Sequence, residues 1–239
     1  MLSRTIRHLP FLALLLIVSW SGRLVHAHGV TLIVQHASPA DSALHTQFLL
    51  PWLKQLENDS AGLLRFRPVP ASPEDKLVNR VETREADIVI ALTRAAPGRF
   101  PAIEAFEALP VQHSAPGASR GAWEYARMND LAENEFDGLR LLAVAVAPGA
   151  GVTDVYLLIM NGGAYQSLTE DLRKVLLARS GEATSASMAH IVAQSSPGGT
   201  QPTPAATEAW FKRATERGVN VKALAQSARE FLTEYDTKK

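Results

Sequence analysis

The sequence has no cysteine. That excludes disulfide staples, thiolate metal centres and cysteine nucleophiles. It has no excess of charge of either sign, because 24 lysines and arginines face 24 aspartates and glutamates. A nucleic-acid partner or an anionic membrane surface, which need a basic face, is therefore not expected. No apolar run is long enough to cross a bilayer; the one at residues 11–20 is well short of the ~20 residues a spanning helix needs. No Gly-x-Ser-x-Gly elbow presents a nucleophilic serine. The seven histidines lack the i, i+4 or His-Glu-x-x-His spacing of zinc sites. His8, His26 and His28 lie in or beside the N-terminal leader, and His36, His45, His113 and His190 are scattered. The glycine pairs at 162–163 and 198–199 do not open a strand-to-helix phosphate loop. Glu104 and Glu107 read as solvated carboxylates on a surface turn. No catalytic constellation, metal site or cofactor is expected, and the chain is not read as an enzyme.

What is present begins with that leader. Arg4 and Arg7 precede the apolar run, and Leu24-Val25-His26-Ala27 puts small or medium side chains at −3 and −1 of a cut after Ala27. This basic, apolar, small order is that of a secretory signal. Residues 1–27 are expected to be removed on export, and the remainder to work in the periplasm. N-terminal sequencing of exported material should then begin at His28; retention of Met1 would contradict it.

The remaining residues alternate between strand and helix signals. Residues 31–35 are β-rich, and 36–42 form a turn in which Asp41 or Ser42 caps a helix. Over 43–58, Leu44, Phe48, Trp52 and Leu56 recur every fourth residue, the mark of one helical face, with a kink expected at Pro51. Residues 63–69 alternate Leu64 and Phe66 with Arg65 and Arg67, as a half-exposed strand does. A helix over 73–83 starts with proline in its first turn, and 87–92 is an apolar, buried strand. Pro97-Gly98-Arg99-Phe100-Pro101 is a rigid turn, followed by a short helix over 101–108. A helix over 115–136 turns Trp123 and Leu131 inward. Strands are expected at 139–147 and 155–160. A helix over 168–180 opens on the capping box Ser167-x-x-Glu170. Residues 195–204 read as linker, and helices over 205–217 and 221–236 break at Gly218. Such an order indicates an α/β domain.

A set of strings in fixed order makes the reading more specific. Ala86-Asp87-Ile88 is followed by Pro97-Gly98-Arg99-Phe100-Pro101 and by Glu107-Ala108-Leu109-Pro110. Pro51-Trp52 precedes them. Glu135-Phe136-Asp137-Gly138, Met160-Asn161, Tyr165-Gln166-Ser167-Leu168 and Asp171-Leu172-Arg173-Lys174-Val175 follow, and the tail carries Trp210, Gly218, Ala223-Leu224 and Ala228. Together they resemble the DctP-type periplasmic solute-binding proteins of TRAP transporters.

That resemblance implies a receptor whose two α/β lobes close on an organic acid such as a C4-dicarboxylate, and which serves the membrane subunits of a TRAP permease. The chain departs from the pattern between roughly Gly149 and Asp154. There the family carries most of its second lobe, including the arginine that pairs with the ligand carboxylate, and no residue here aligns with that arginine.

The expected architecture is therefore a periplasmic-binding-protein-like α/β lobe, with a mixed, mainly parallel five-stranded sheet flanked by helices and the second lobe largely absent. The segments are 1–27 signal peptide, 28–194 lobe, 195–204 linker and 205–239 C-terminal helices, the last expected to be loosely held. A short hairpin from Pro148 to Thr153 makes strands 139–147 and 155–160 antiparallel neighbours. Ligands of such sheets sit beyond the carboxyl ends of strands. The expected contacts are Gln35 and His36 after the first strand, and Thr93 and Arg94 after strand 87–92. One wall instead of two implies weak solute binding. The alternative is a non-transporting single-lobe binding or interaction protein.

Overall fold

The computed structural model describes residues 29–109, 114–129, 138–149, 153–195, 204–216 and 220–237. The leader and its cut, most of the 195–204 linker, Leu131 and Gly218 lie outside the described residues.

Strands β1 (Val30–His36), β2 (Leu64–Val69), β3 (Ile88–Leu92), β4 (Leu139–Pro148) and β5 (Thr153–Asn161) form one sheet in the order β2-β1-β3-β5-β4. β1 pairs parallel with β2 and β3, while β5 pairs antiparallel with β3 and β4. Four strands thus run one way and only β5 is reversed. The β4–β5 ladder reaches Pro148↔Thr153, so the expected hairpin is realised.

Period-two alternation divides the apolar side chains between two cores. Leu32, Val34, Leu158 and Met160 face Phe48, Trp52 and Leu56 on one side. Val89, Leu141, Val144, Leu157 and Ile159 face Phe106, Tyr125 and Ala228 on the other. β2 is the half-exposed edge that its alternating arginines predicted: Leu64 is buried, and Arg65 and Arg67 are exposed.

The helices are α1 (Leu50–Asp59), α2 (Leu77–Glu82), α3 (Pro101–Glu104), α4 (Ala115–Met128), α5 (Gly162–Ser167), α6 (Glu170–Ala178), α7 (Glu182–Ser195), α8 (Pro204–Glu216) and α9 (Val221–Thr237). The irregularity expected at Pro51 appears as a π-helical segment, Leu44–Leu49, running into α1. Pro51 has no N–H to give to the carbonyl one turn earlier, and the wider segment before it takes up the mismatch.

Three readings need correction. The cap of α6 is Thr169, whose hydroxyl accepts from Leu172 N–H; Ser167 is already committed to α5, where its hydroxyl donates to Ala164 O at 2.7 Å. Helix α7 carried no sequence signal. Its buried residues Thr184, Ser185, Ala186, Met188, Ala189 and Val192 are mostly small and partly polar, so no apolar stripe stands out. Finally, Glu104 is buried rather than solvated. Its carboxylate accepts from Gly98 N–H at 2.8 and 2.9 Å and from Phe100 N–H at 3.0 Å. It holds the turn in which Gly98 adopts φ +84°, a conformation glycine takes without penalty.

Other strings behind the family resemblance also build the fold. The Asp87 carboxylate accepts from Ile33 N–H at 2.7 Å, tying β3 to β1. Asn161 accepts from Ala164 N–H to cap α5, and donates to Val81 O at 2.8 Å.

β4 is an edge strand, yet eight of its ten residues are buried. Its outer backbone groups find partners on two helices instead of a neighbouring strand. Val146 N–H donates to Ser119 Oγ at 2.7 Å and Val144 N–H to Ser185 Oγ at 3.0 Å. Leu142 O, at the register shift, accepts from Gly181 N–H at 2.7 Å. Helices α4 and α7 thereby blunt an edge otherwise open to strand addition. Ser119→Ala or Ser185→Ala strands a buried N–H, and each is expected to cost about 1–3 kcal/mol in urea denaturation. A loss near zero in both would contradict this account.

α9 lies across α4. Ala225 and Ala228 are buried, and Phe231 meets Tyr125 with ring centroids 5.5 Å apart. A Cβ at Gly121 would meet the tip of the Leu232 side chain, which would have to turn aside.

Candidate functional site

The carboxyl ends of β1, β3 and β4 and the start of β5 share one edge of the sheet. The four residues expected to touch a ligand all lie there, and each is engaged within the protein. Gln35 Oε1 accepts from Arg80 Nη1 at 3.0 Å. His36 is fully buried, with Nε2 2.8 Å from His45 Nδ1. Histidines that looked scattered in sequence are thus a bonded pair, because the turn after β1 brings the π-helical segment back over the strand end. Burial, and next the charge of His45, lower the His36 pKa to about 4. Its Nδ1 has no hydrogen-bond partner.

The Thr93 hydroxyl, also fully buried, donates to the Glu107 carboxylate, and Val155 O lies 3.3 Å away. Glu107 is buried too, which corrects its reading as a solvated surface group. Its second oxygen accepts from Trp210 Nε1 at 2.8 Å. Burial pushes the Glu107 carboxyl above its usual range, and the hydrogen bond from Thr93 partly offsets that rise. Beside it, Thr153 Oγ1 donates to Leu109 O at 2.5 Å. The helical segment after Pro101, together with α8, therefore covers the edge between β3 and β5.

Arg94 is not a lone cation. Its guanidinium is paired with Asp154 at the start of β5. Burial works against the Arg94 charge, but the hydrogen bond and charge of Asp154 outweigh it and raise the pKa. Glu74 stands nearby, its carboxylate accepting from Leu92 N–H at 2.8 Å. Burial raises its pKa, against the pull of that N–H and of Arg94. Tyr156 completes the group, its pKa raised to about 12 by burial and then by Asp154.

Asp154, Glu74 and Tyr156 were not singled out in the sequence. They come from separate segments that only the sheet order places beside Arg94, so no local spacing marks them. A separate groove of about 220 Å³ lies between α1 and the α6–α7 corner, lined by Phe48, Trp52, Gln55, Arg179 and Thr184. None of the edge residues line it.

No family model matches the sequence, and no curated protein matches it. Solved structures do match its fold. A TRAP solute-binding protein from a marine metagenome, specific for aromatic acid ligands and crystallised with 3-hydroxybenzoate, is 20% identical. The match covers 87% of this chain and 99% of that one, with a TM-score of 0.70. A TRAP solute-binding protein from Rhodoferax ferrireducens, with copurified benzoate, is 19% identical at the same coverage and TM-score. An extracytoplasmic solute receptor from Bordetella pertussis that binds pyroglutamic acid is 11% identical, over 88% of this chain and 100% of that one, with a TM-score of 0.59. The chain has the fold of a TRAP periplasmic solute-binding protein.

Proposed function

We propose that this protein is a periplasmic solute-binding receptor of the TRAP type, a non-enzymatic protein that offers small organic acids to membrane permease subunits. The observation that carries the reading is the fold match over 87% of the chain to such receptors. Similar folds hold benzoate, 3-hydroxybenzoate and pyroglutamate, which widens the expected class from C4-dicarboxylates to organic acids in general. The site is the carboxyl edge around Gln35, His36, Thr93 and Arg94.

A second reading, a non-transporting binding or interaction protein, is favoured by one observation. Each of those four side chains already has a partner inside the protein, and of His36 only Nδ1 is left without one. A carboxylate arriving at Arg94 competes with Asp154 at a half-exposed position, where ion pairs are worth about 0–1 kcal/mol. Plain organic acids are therefore expected to bind no tighter than millimolar, about 4 kcal/mol in all. Isothermal titration with a panel of organic acids checks this. A micromolar acid lost on Arg94→Ala would refute weak binding and restore a fully competent receptor. Silence towards every small solute would leave only the second reading.

A further inference from the structure

The two partners of the Arg94–Asp154 pair differ in their access to solvent. The Arg94 side chain is 47% exposed and that of Asp154 is 10% exposed. The cation is open to solvent, while its counter-ion is held in the fold. A solute carboxylate that takes Arg94 for itself leaves Asp154 buried without a matching charge. A mostly buried carboxylate left without a matching charge is costly to hold, even where its former partner is half-exposed. Glu74 adds to the difficulty, since its charge acts on both Arg94 and Asp154. A second carboxylate close to the pair makes a third, brought by the solute, less welcome. Tyr156, beside them, keeps its proton and adds no charge.

We propose that Asp154 is the specificity-determining residue of this edge, disfavouring plain carboxylates and selecting solutes that carry an ammonium group beside the carboxylate. The inference rests on the reading of the edge as a solute site. A zwitterion exchanges one internal ion pair for two external ones. Its carboxylate pairs with the Arg94 guanidinium and its ammonium with the Asp154 carboxylate, so no buried charge is left unmatched. A simple anion matches only the first of these, and a simple cation only the second.

Three solutes sharing a phenyl ring and a two-carbon arm test this: phenylalanine, 3-phenylpropanoate and 2-phenylethylamine. Each is titrated calorimetrically into the intact exported protein and into Asp154→Asn, with Asp154→Ser as a second variant should the first fold poorly. The wild type is expected to bind phenylalanine at least tenfold more tightly than either single-charge analogue. Asp154→Asn is expected to tighten 3-phenylpropanoate at least tenfold and to erase the preference for phenylalanine. If the wild type binds 3-phenylpropanoate as tightly as phenylalanine, or if neither variant changes the order, the role of Asp154 is refuted while the receptor reading stands. If none of the three binds the wild type or either variant, the role of Asp154 is refuted as well, and the receptor reading is decided separately by the organic-acid panel.

Discussion

Acidification from pH 7 to pH 4 is expected to lower the unfolding free energy by about 3 kcal/mol through His36 alone. The imidazole is fully buried, and its pKa falls from 6.5 to about 4, first by burial and then by the charge of His45. In the unfolded chain it takes up a proton as pH falls through 6.5, and in the folded chain only near 4. Between those values the unfolded state binds more protons, so stability decreases with decreasing pH and levels off below the folded pKa. Carboxylates add their own pH dependence at the acid end, so the informative quantity is the difference between two proteins. Urea denaturation of the wild type and of His36→Gln at pH 7 and pH 4 isolates it. The variant should lose about 3 kcal/mol less than the wild type across that range. Equal losses in the two would mean that His36 is already hydrated or protonated in the fold.

Trp210→Ala is expected to release α8 from the rest of the molecule. Among the described side chains of α8, only Trp210 is buried. It sits against Ala108 and Phe211 and donates to Glu107. Removing a buried indole costs roughly 3–5 kcal/mol, and no other described α8 side chain is buried to replace it. Detachment of such a segment is a local opening, not global unfolding. It is read as proteolytic cleavage within 204–216 under conditions that leave the wild type whole. Trp210→Phe keeps most of the apolar contact but leaves Glu107 one donor short, a smaller loss of about 1–3 kcal/mol. Glu107→Gln retains an acceptor for Trp210 and should leave α8 attached. Resistance of Trp210→Ala to cleavage would show that α8 is held by something other than its indole.

These expectations differ in how far a linear reading reached them. The strands 31–35, 63–69, 87–92, 139–147 and 155–160 were legible because burial on a sheet imprints apolar or alternating patterns on contiguous residues. The helical face of Leu44, Phe48, Trp52 and Leu56 was legible for the same reason, since the apolar spacing follows the turn of the helix. Helix α7 was not, because a helix wedged among α4, β4 and the π-helical segment needs small residues more than an apolar stripe. The cap of α6 was misplaced because Ser167, with Glu170 three residues on, fits the capping box and Thr169, followed by Leu172, does not; helix α5 claims Ser167, and Thr169 caps α6 without the box.

The candidate site divides in the same way. Its address, the carboxyl ends of the first and third strands, follows from strand order in an α/β chain, and Gln35, His36, Thr93 and Arg94 are all found there. The state of those residues does not follow from sequence. The partners of Arg94 and Thr93 lie 60 and 14 residues along the chain, and charge pairing depends on distance in space, not separation along the backbone. The sequence by itself determined an α/β lobe, its export signal as an expectation, and the hairpin that joins β4 to β5. Only the tertiary structure decided that Glu104 and Glu107 are internal, that His36 meets His45, and that Arg94 already has its carboxylate. Local patterning records which residues are buried, whereas the matching of polar groups is settled when separate segments are brought into one low-dielectric interior.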